Sequence, residues 1–234
     1  ALAVEGGLHE PSLPQVEGTR VLAMEELERE VQKHSEQNPP RRSDAQSPVY
    51  VIYTSGSTGV PKAVGGTQQG LLNRVHWQLR GAGLGAEEVF CQKTSPGFVD
   101  SVAEVFVPLL SGRPLVIATE TQGKDMRELM SLIGESAVTQ LVTVPTVARY
   151  LLEEPECERY LSGLKSWTLS GEVLTGRLRR RLAERLPGCR VVNLYGSSEV
   201  AGHATCFVSG AEQEERVPIG RPIANTQAYV LGED

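Results

Sequence analysis

Cysteine is scarce and scattered in this chain. Cys91, Cys157, Cys189 and Cys206 stand far apart and form no Cys-x-x-Cys pair. That spacing argues against a zinc site and a disulfide framework, and it predicts free thiols in a reducing, cytoplasmic setting. No apolar run approaches the roughly 20 residues that a membrane-spanning helix requires, so no membrane association is expected. No basic segment followed by an apolar block opens the chain, so no signal peptide is expected. Positive charge is also in deficit. A net charge of −6 and a pI near 5.4 argue against a nucleic-acid partner, which would call for a basic patch. What is present is ordinary for a globular protein: 234 residues, 40% hydrophobic and 22% charged, enough for one sizeable core or two small ones.

Residues 1–20 carry Gly, Pro and Glu without clear period. Met24–Val31 reads as a short amphipathic helix, and His34–Ser47 as an exposed connector with two prolines. From Val49 onward strands and helices alternate. Strands are predicted at Pro48–Tyr53 (buried), Val89–Gln92, Leu115–Ala118, Val138–Val144, Leu164–Leu169 and Arg190–Leu194. Helices are predicted from Thr67 to about Leu79, then at Val99–Leu110, Lys124–Ile133, Thr146–Leu152 and Thr175–Leu186. The expected fold is α/β, a doubly wound, mostly parallel sheet with helices on both faces. After Gly202 only strands are expected, at Thr205–Val208 and Gln227–Leu231, as the start of a β-rich part. The expected division is therefore 1–47 (tail of a preceding subdomain and connector), 48–200 (nucleotide-binding core) and 201–234 (start of the β-rich subdomain).

The most informative run is residues 53–62, Tyr-Thr-Ser-Gly-Ser-Thr-Gly-Val-Pro-Lys. Thr54, Ser55, Ser57 and Thr58 supply four hydroxyls within five residues. Gly56 and Gly59 let the backbone turn tightly and bring its N–H groups close to a ligand, and Lys62 adds a point charge. A strand feeding such a loop is a device for holding phosphates. It is not a P-loop, because Pro61 precedes Lys62 and the glycines are three apart.

This run resembles the phosphate loop of the adenylate-forming enzymes: amino-acid adenylation domains of peptide synthetases, acyl- and aryl-CoA ligases, and luciferases. Three further segments fit that family in order. Leu169-Ser170-Gly171-Glu172 resembles its Gly-Gly-Glu turn, Asn193-Leu194-Tyr195-Gly196-Ser197-Ser198-Glu199 its Asn-x-Tyr-Gly-x-Thr-Glu motif, and Gly220–Thr226 with Tyr229–Leu231 its Gly-x-Pro-Ile-x-Asn-x strand. The resemblance implies ATP and Mg²⁺. The 54–62 loop would hold the β- and γ-phosphates, Ser198 the α-phosphate, and Glu199 the metal, so that Lys62, Ser198 and Glu199 carry the chemistry. Tyr195 would stack on adenine, Gly171 would admit the base, and Glu172, Asn193 and Gly196 would complete the nucleotide site. Taken alone, Ser198-Glu199 is also compatible with a helix cap and first-turn acid.

Phe98-Val99-Asp100-Ser101-Val102-Ala103-Glu104-Val105-Phe106 resembles the family's Phe-Asp-x-Ser-Val-x-Glu-Ile-Phe helix with one displacement. α-Amino-acid activators carry Asp directly after the Phe, where it pairs with the substrate ammonium. Here Val99 holds that position and Asp100 follows. On a helix one residue is about 100° of rotation and 1.5 Å of rise, so the amine must move as well. A Val-Asp pair resembles activators of β-amino acids such as β-alanine. An amine-free acid would leave a buried Asp100 unpaired. The alternative is that Asp100 is a solvated or dipole-satisfying helix residue. Ala103, Val142, Thr168, Ser170, Leu194, Gly202 and His203 would complete the acid pocket with Phe98, roomy at Ala103 and Gly202. Arg177, Arg179, Arg180, Arg181 and Arg185 read as a solvated helix face.

The resemblance covers the middle of the family's large N-terminal part. The ribose-binding Thr-Gly-Asp segment and the C-terminal lid with its lysine are not in the sequence, so a fragment of an enzyme is expected. The implied partners are an amino acid, the lid subdomain, and a carrier-protein domain whose phosphopantetheine thiol accepts the acyl group. Two other readings stay open: an acyl- or aryl-CoA ligase of the same superfamily, and a non-catalytic nucleotide-binding or carrier-docking module.

Overall fold

The computed structural model describes residues 2–4, 21–55, 59–81, 85, 87–209 and 216–232. The chain divides into two compact units, Ala1–Arg42 and Ser43–Asp234. In the first, β1 (Leu2–Val4) pairs in parallel with β2 (Val21–Ala23), which runs into helix α1 (Met24–Val31).

The second unit begins with a hairpin. β3 (Pro48–Thr54) pairs antiparallel with β4 (Lys62–Thr67), and helix α2 (Gln68–Gly81) follows. The Thr67 hydroxyl accepts from the Gly70 amide and caps α2, as its position at the helix start requires. Then come β5 (Phe90–Gln92), α3 (Val99–Ser111), β6 (Leu115–Ile117), α4 (Glu120–Lys124), α5 (Met126–Glu135), β7 (Gln140–Thr143), α6 (Pro145–Glu153), α7 (Cys157–Leu161), β8 (Ser166–Leu169), α8 (Gly176–Arg185), β9 (Arg190–Tyr195), a 3₁₀ turn at Ser198–Val200, β10 (Thr205–Val208) and β11 (Arg221–Pro222).

Seven strands form one sheet in the order β11-β10-β9-β8-β7-β5-β6. β6, β5, β7, β8 and β9 are parallel, and β10 and β11 close the edge antiparallel. The mostly parallel α/β sheet expected from the alternating pattern is therefore present. Neighbouring residues of a strand face opposite sides. Phe90 and Cys91 of β5 accordingly fall in different cores. Cys91 joins Leu129, Ile133, Leu151, Trp167 and Leu182 from α5, α6, β8 and α8, whereas Phe90 joins Leu71, Val75, Val102 and Val107 from α2 and α3. Helices thus cover both faces.

Four expectations need correction. The Pro48–Tyr53 strand is mostly exposed: Ile52 is buried and Tyr50 packs partly against the same core, while Val51 (59%) and Tyr53 (69%) are exposed. A β-branched run looks the same in a hairpin arm as in a central strand, so the pattern could not separate the two. The helix expected over Lys124–Ile133 is α5, which begins two residues later at Met126, because Asp125 accepts from the Arg127 and Glu128 amides and caps it, while Lys124 ends the separate α4. Gln227–Leu231 forms no strand. The arginine face of α8 is only partly solvated. Arg179 is buried with its guanidinium on the Ser209 hydroxyl, Arg181 lies 3.5 Å from Glu153, and Arg185 pairs with Glu158.

Trp167 is fully buried, and its indole N–H donates to the Thr143 hydroxyl at 2.8 Å. Thr143→Val strands that donor in an apolar core and should cost about 1–3 kcal/mol, whereas Thr143→Ser keeps the acceptor and should cost less. Urea denaturation midpoints of the two variants against the parent measure the difference.

Candidate functional site

Ligands in open parallel sheets bind where the strand order reverses, beyond the carboxyl ends of the strands. Here the reversal lies at β5, with β6 on one side and β7 on the other. A cavity of about 720 Å³ opens at that place. Its walls are the segments that leave the strands: Lys93–Ser95 after β5, Thr143 and Val144 at the end of β7, Ser170–Glu172 after β8, and Gly196–Ser198 after β9. The hairpin adds Thr54 and Ser55, and the start of α3 adds Phe98, Val99 and Asp100. A smaller cavity of about 270 Å³ shares Gly171, Glu172 and Gly196 with it and is also lined by Asn193, Leu194 and Tyr195.

The structure therefore brings together most of the residues singled out in the sequence. Thr54, Ser55, Phe98, Val99, Asp100, Val142, Ser170, Gly171, Glu172, Gly196, Ser198 and Gly202 line the larger cavity. Asn193, Leu194 and Tyr195 line the smaller one. Gly59 turns with φ of 80°, and Lys62 pairs with Thr54 across the hairpin. Gly56, Ser57 and Thr58 lie outside the described residues. Ala103 and Thr168 are buried and line neither cavity; Ala103 packs in the α2/α3 core. Glu199 and His203 line a third, polar cavity of about 470 Å³.

Four anchors hold the loops around the two cavities. The Glu104 side chain is buried, and its Oε2 accepts the Lys93 and Thr94 amides at 3.1 and 2.9 Å. Its Oε1 accepts the Thr94 hydroxyl at 2.7 Å and lies 3.4 Å from the Lys93 ammonium. One carboxylate thus pins the whole turn after β5. Glu172 ties the turn after β8 to the start of α6, accepting the Thr146 amide (3.0 Å) and hydroxyl (2.6 Å), where the helix dipole favours an acid. Asn193 donates to the Pro218 carbonyl at 2.9 Å and fixes the end of β9.

The fourth anchor is a buried triad. Arg74 of α2 is 2% exposed, and its Nη2 donates to Asp100 Oδ1 at 3.0 Å. His203 Nε2 lies 3.1 Å from the same oxygen and 3.0 Å from Arg74 Nη2. Arg74 Nη1 donates to the Val99 and Ala201 carbonyls. Gly202 explains its own smallness: a methyl group there would sit 2.5 Å from Arg74 Nη1, and its φ of 94° is left-handed. The space expected to widen the acid pocket at Gly202 is occupied by the guanidinium. Burial raises the Asp100 carboxyl, but the bond and charge of His203 and the charge of Arg74 outweigh it and hold the group well below the usual range. Burial first, and then the Arg74 charge, push His203 down to about 4, against the pull of Asp100. At neutral pH His203 is therefore uncharged and Arg74 is the cation of Asp100. The sequence argument that an amine-free acid would leave Asp100 unpaired does not hold, because Arg74 already pairs it.

Arg74 was missed in the sequence, although it sits between Leu71 and Val75 on the apolar stripe of α2, where a lone charge marks a buried partner. Lys93, Thr94 and Ser197 were missed as well. Exposed Glu199 is held below the ordinary carboxylate range by a bond from Ser197, by its own amide, and by the nearby charge of Lys62. Among the described residues no group of three or more His, Cys, Asp or Glu converges. The lone Glu199 carboxylate fits a hard cation whose other ligands are phosphate and water oxygens, the usual situation of Mg²⁺.

The profile of the family described as AMP-binding enzyme matches residues 4–234. The beta-alanyl-bioamine nonribosomal peptide synthetase ebony of Drosophila melanogaster is 36% identical over 197 residues, which is 79% of this chain and 22% of that protein. The phosphinothricin tripeptide synthetase PhsB of Streptomyces viridochromogenes is 35% identical over 223 residues, 95% of this chain and 19% of that protein. The chain thus spans about a fifth of these relatives. Among solved structures, nonribosomal peptide synthetase FmoA3 in its alpha-methyl-L-serine-AMP bound form superposes with a TM-score of 0.85 at 25% identity, over 100% of this chain and 26% of that one. Its AMPPNP-bound form superposes with a TM-score of 0.81 at 25% identity, over 95% of this chain and 24% of that one.

Between pH 6.5 and about 4 the unfolded chain takes up a proton at residue 203 that the folded chain refuses. Stability should fall across that window as the pH drops, by roughly 3 kcal/mol in all. His203→Gln should remove this part of the acid sensitivity, seen as denaturation midpoints that differ less between pH 7 and pH 4.5 than those of the parent.

Proposed function

The chain belongs to the AMP-binding enzyme family, and from that premise we propose that it activates the carboxylate of an amino acid with ATP, forming the acyl-adenylate and releasing pyrophosphate. The observation that carries this is the pair of cavities joined at Gly171, Glu172 and Gly196. In this reading a purine would occupy the smaller, beside Tyr195 and Asn193, and the acid the larger. The α-phosphate then lies at the junction, near Ser198.

A carboxylate oxygen attacks the α-phosphorus as the bond to the pyrophosphate oxygen breaks. No base is needed, since the nucleophile is already ionised. The protein must hold two anions together and offset charge on the phosphate oxygens. The 54–62 loop, with Gly56, Ser57 and Thr58, suits the β- and γ-phosphates; Lys62 adds its charge there, and Ser198 donates to the α-phosphate. Glu199 would hold Mg²⁺, which supplies charge neutralisation to the phosphates when bound. The thiol of a carrier-protein phosphopantetheine, losing its proton, then takes the acyl group as the acyl–phosphate bond breaks and AMP leaves, with a lid subdomain completing the site.

The substrate reading is a β-amino acid of the β-alanine type, its ammonium on Asp100. The displaced Asp supports it, and the relative named for a beta-alanyl product points the same way. A second reading, an acyl- or aryl-CoA ligase acting on an amine-free acid, is favoured by one observation: Arg74 already neutralises Asp100.

ATP–pyrophosphate exchange on the full-length parent, with β-alanine, other β-amino acids, α-amino acids and benzoates, separates the readings. β-Amino acids should exchange fastest. Asp100→Ala should lower kcat/KM for amine-bearing acids roughly 100-fold and spare amine-free ones. An α-amino acid as best substrate would remove the displaced-Asp argument, and a benzoate would favour the ligase.

A further inference from the structure

Arg74 lies outside the motifs quoted from the sequence, yet two segments that border the larger cavity, the start of α3 and the turn after β9, meet on its guanidinium. It springs from α2, bonds the Val99 carbonyl and the Asp100 carboxylate at the start of α3, and bonds the Ala201 carbonyl in the turn after β9. Both Arg74 and His203 engage the same oxygen of Asp100, Oδ1. Asp100 still lines the cavity and keeps 20% of its side-chain surface accessible.

We propose that Arg74 is a positioning residue for substrate selection: by holding Asp100 through Oδ1, it keeps the carboxylate ionised before substrate arrives and leaves Oδ2 as the single receptor for an incoming ammonium. This rests on the amine-bearing reading of the acid. A buried carboxylate without a cation takes up a proton, and an ammonium would then bind only after that proton had left. With Arg74 in place the pair is already neutral, so the amine meets a fixed acceptor beside the Ser170 hydroxyl. Only one oxygen is offered, which selects an amine that approaches from the cavity along the Oδ2 side.

The groups that face this carboxylate are Arg74 from α2, His203 from the turn before β10, and the Ser170 hydroxyl from the turn after β8. Tyr50 and Glu104 also lie within the field of Arg74. Glu104 is committed to Lys93 and Thr94. His203 is uncharged at neutral pH, so no other full cation among the described residues forms an ion pair with Asp100 there.

The test uses the full-length synthetase carrying Arg74→Gln or Arg74→Lys, with exchange measured on β-alanine and on benzoate and with melting temperature followed from pH 7 to pH 4. Arg74→Gln should raise KM for β-alanine roughly 10-fold while kcat and the KM for ATP stay within about 3-fold. Arg74→Lys should recover part of that loss. The melting-temperature gap between Arg74→Gln and the parent should narrow as the pH falls, because protonation of the uncompensated Asp100, or of His203 in place of Arg74, relieves the buried charge. A joint rise in KM for acid and ATP, or a gap constant with pH, would overturn the proposal. If Arg74→Gln does not fold, Arg74→Lys decides: an unchanged KM for β-alanine overturns it, and a several-fold rise supports it. If the parent exchanges only with benzoate, the amine reading falls by itself, and the narrowing of the melting gap with pH still decides whether Arg74 keeps Asp100 ionised.

Discussion

The parallel register of β5, β7, β8 and β9 is the constraint from which the site follows. Because these strands run the same way, four separate chain segments leave the sheet at one edge. Each segment brings different chemistry: Lys93 and Thr94 after β5, Thr143 and Val144 at β7, Ser170 to Glu172 after β8, and Gly196 to Ser198 after β9. The reversal of order at β5 parts the neighbouring connections and leaves a crevice there. An antiparallel arrangement would have sent half of these segments to the opposite edge.

Holding loops at a strand edge requires buried polar anchors, and each carries an energetic risk. Glu104, Arg74 and Asp100 are withdrawn from water, and such groups are tolerated only when their bonds are made. Glu104 meets this with two backbone amides, a hydroxyl and an ammonium. The Arg74 triad is less complete: Arg74 Nε and His203 Nδ1 are buried without a partner. The triad beside the larger cavity thus holds two unpartnered buried side-chain atoms. That is a common compromise where a pocket must be polar and shaped at once.

Much of this architecture was legible in the sequence. Alternating apolar runs gave the strands and the longer helices from Val89 to Tyr195, since each run has the right length and bounding Gly, Pro or capping residue; the five-residue helices α4 and α7 were not foreseen. The phosphate-loop, Ser170–Glu172 and Asn193–Glu199 segments stood out because hydroxyls, glycines and an acid cluster there at short spacing. What stayed hidden was tertiary. The exposure of Val51 and Tyr53 depends on which face of the hairpin meets α2, and the Arg74–Asp100–His203 contact joins residues up to 129 positions apart. No local pattern encodes a pairing over that distance. The start of α5 at Asp125 was readable from its capping chemistry, whereas α4 before it, Glu-Thr-Gln-Gly-Lys, carries no apolar residue and gave no periodic signal.

The bond from Trp167 to Thr143 has an optical consequence. The chain holds two tryptophans, and the other, Trp77, is only partly buried on α2. The indole of Trp167 is sealed from solvent, yet its hydrogen-bond acceptor is a residue of the cavity wall. A change at the cavity wall that moves Thr143 should therefore shift the Trp167 emission, a reporter that needs no attached dye.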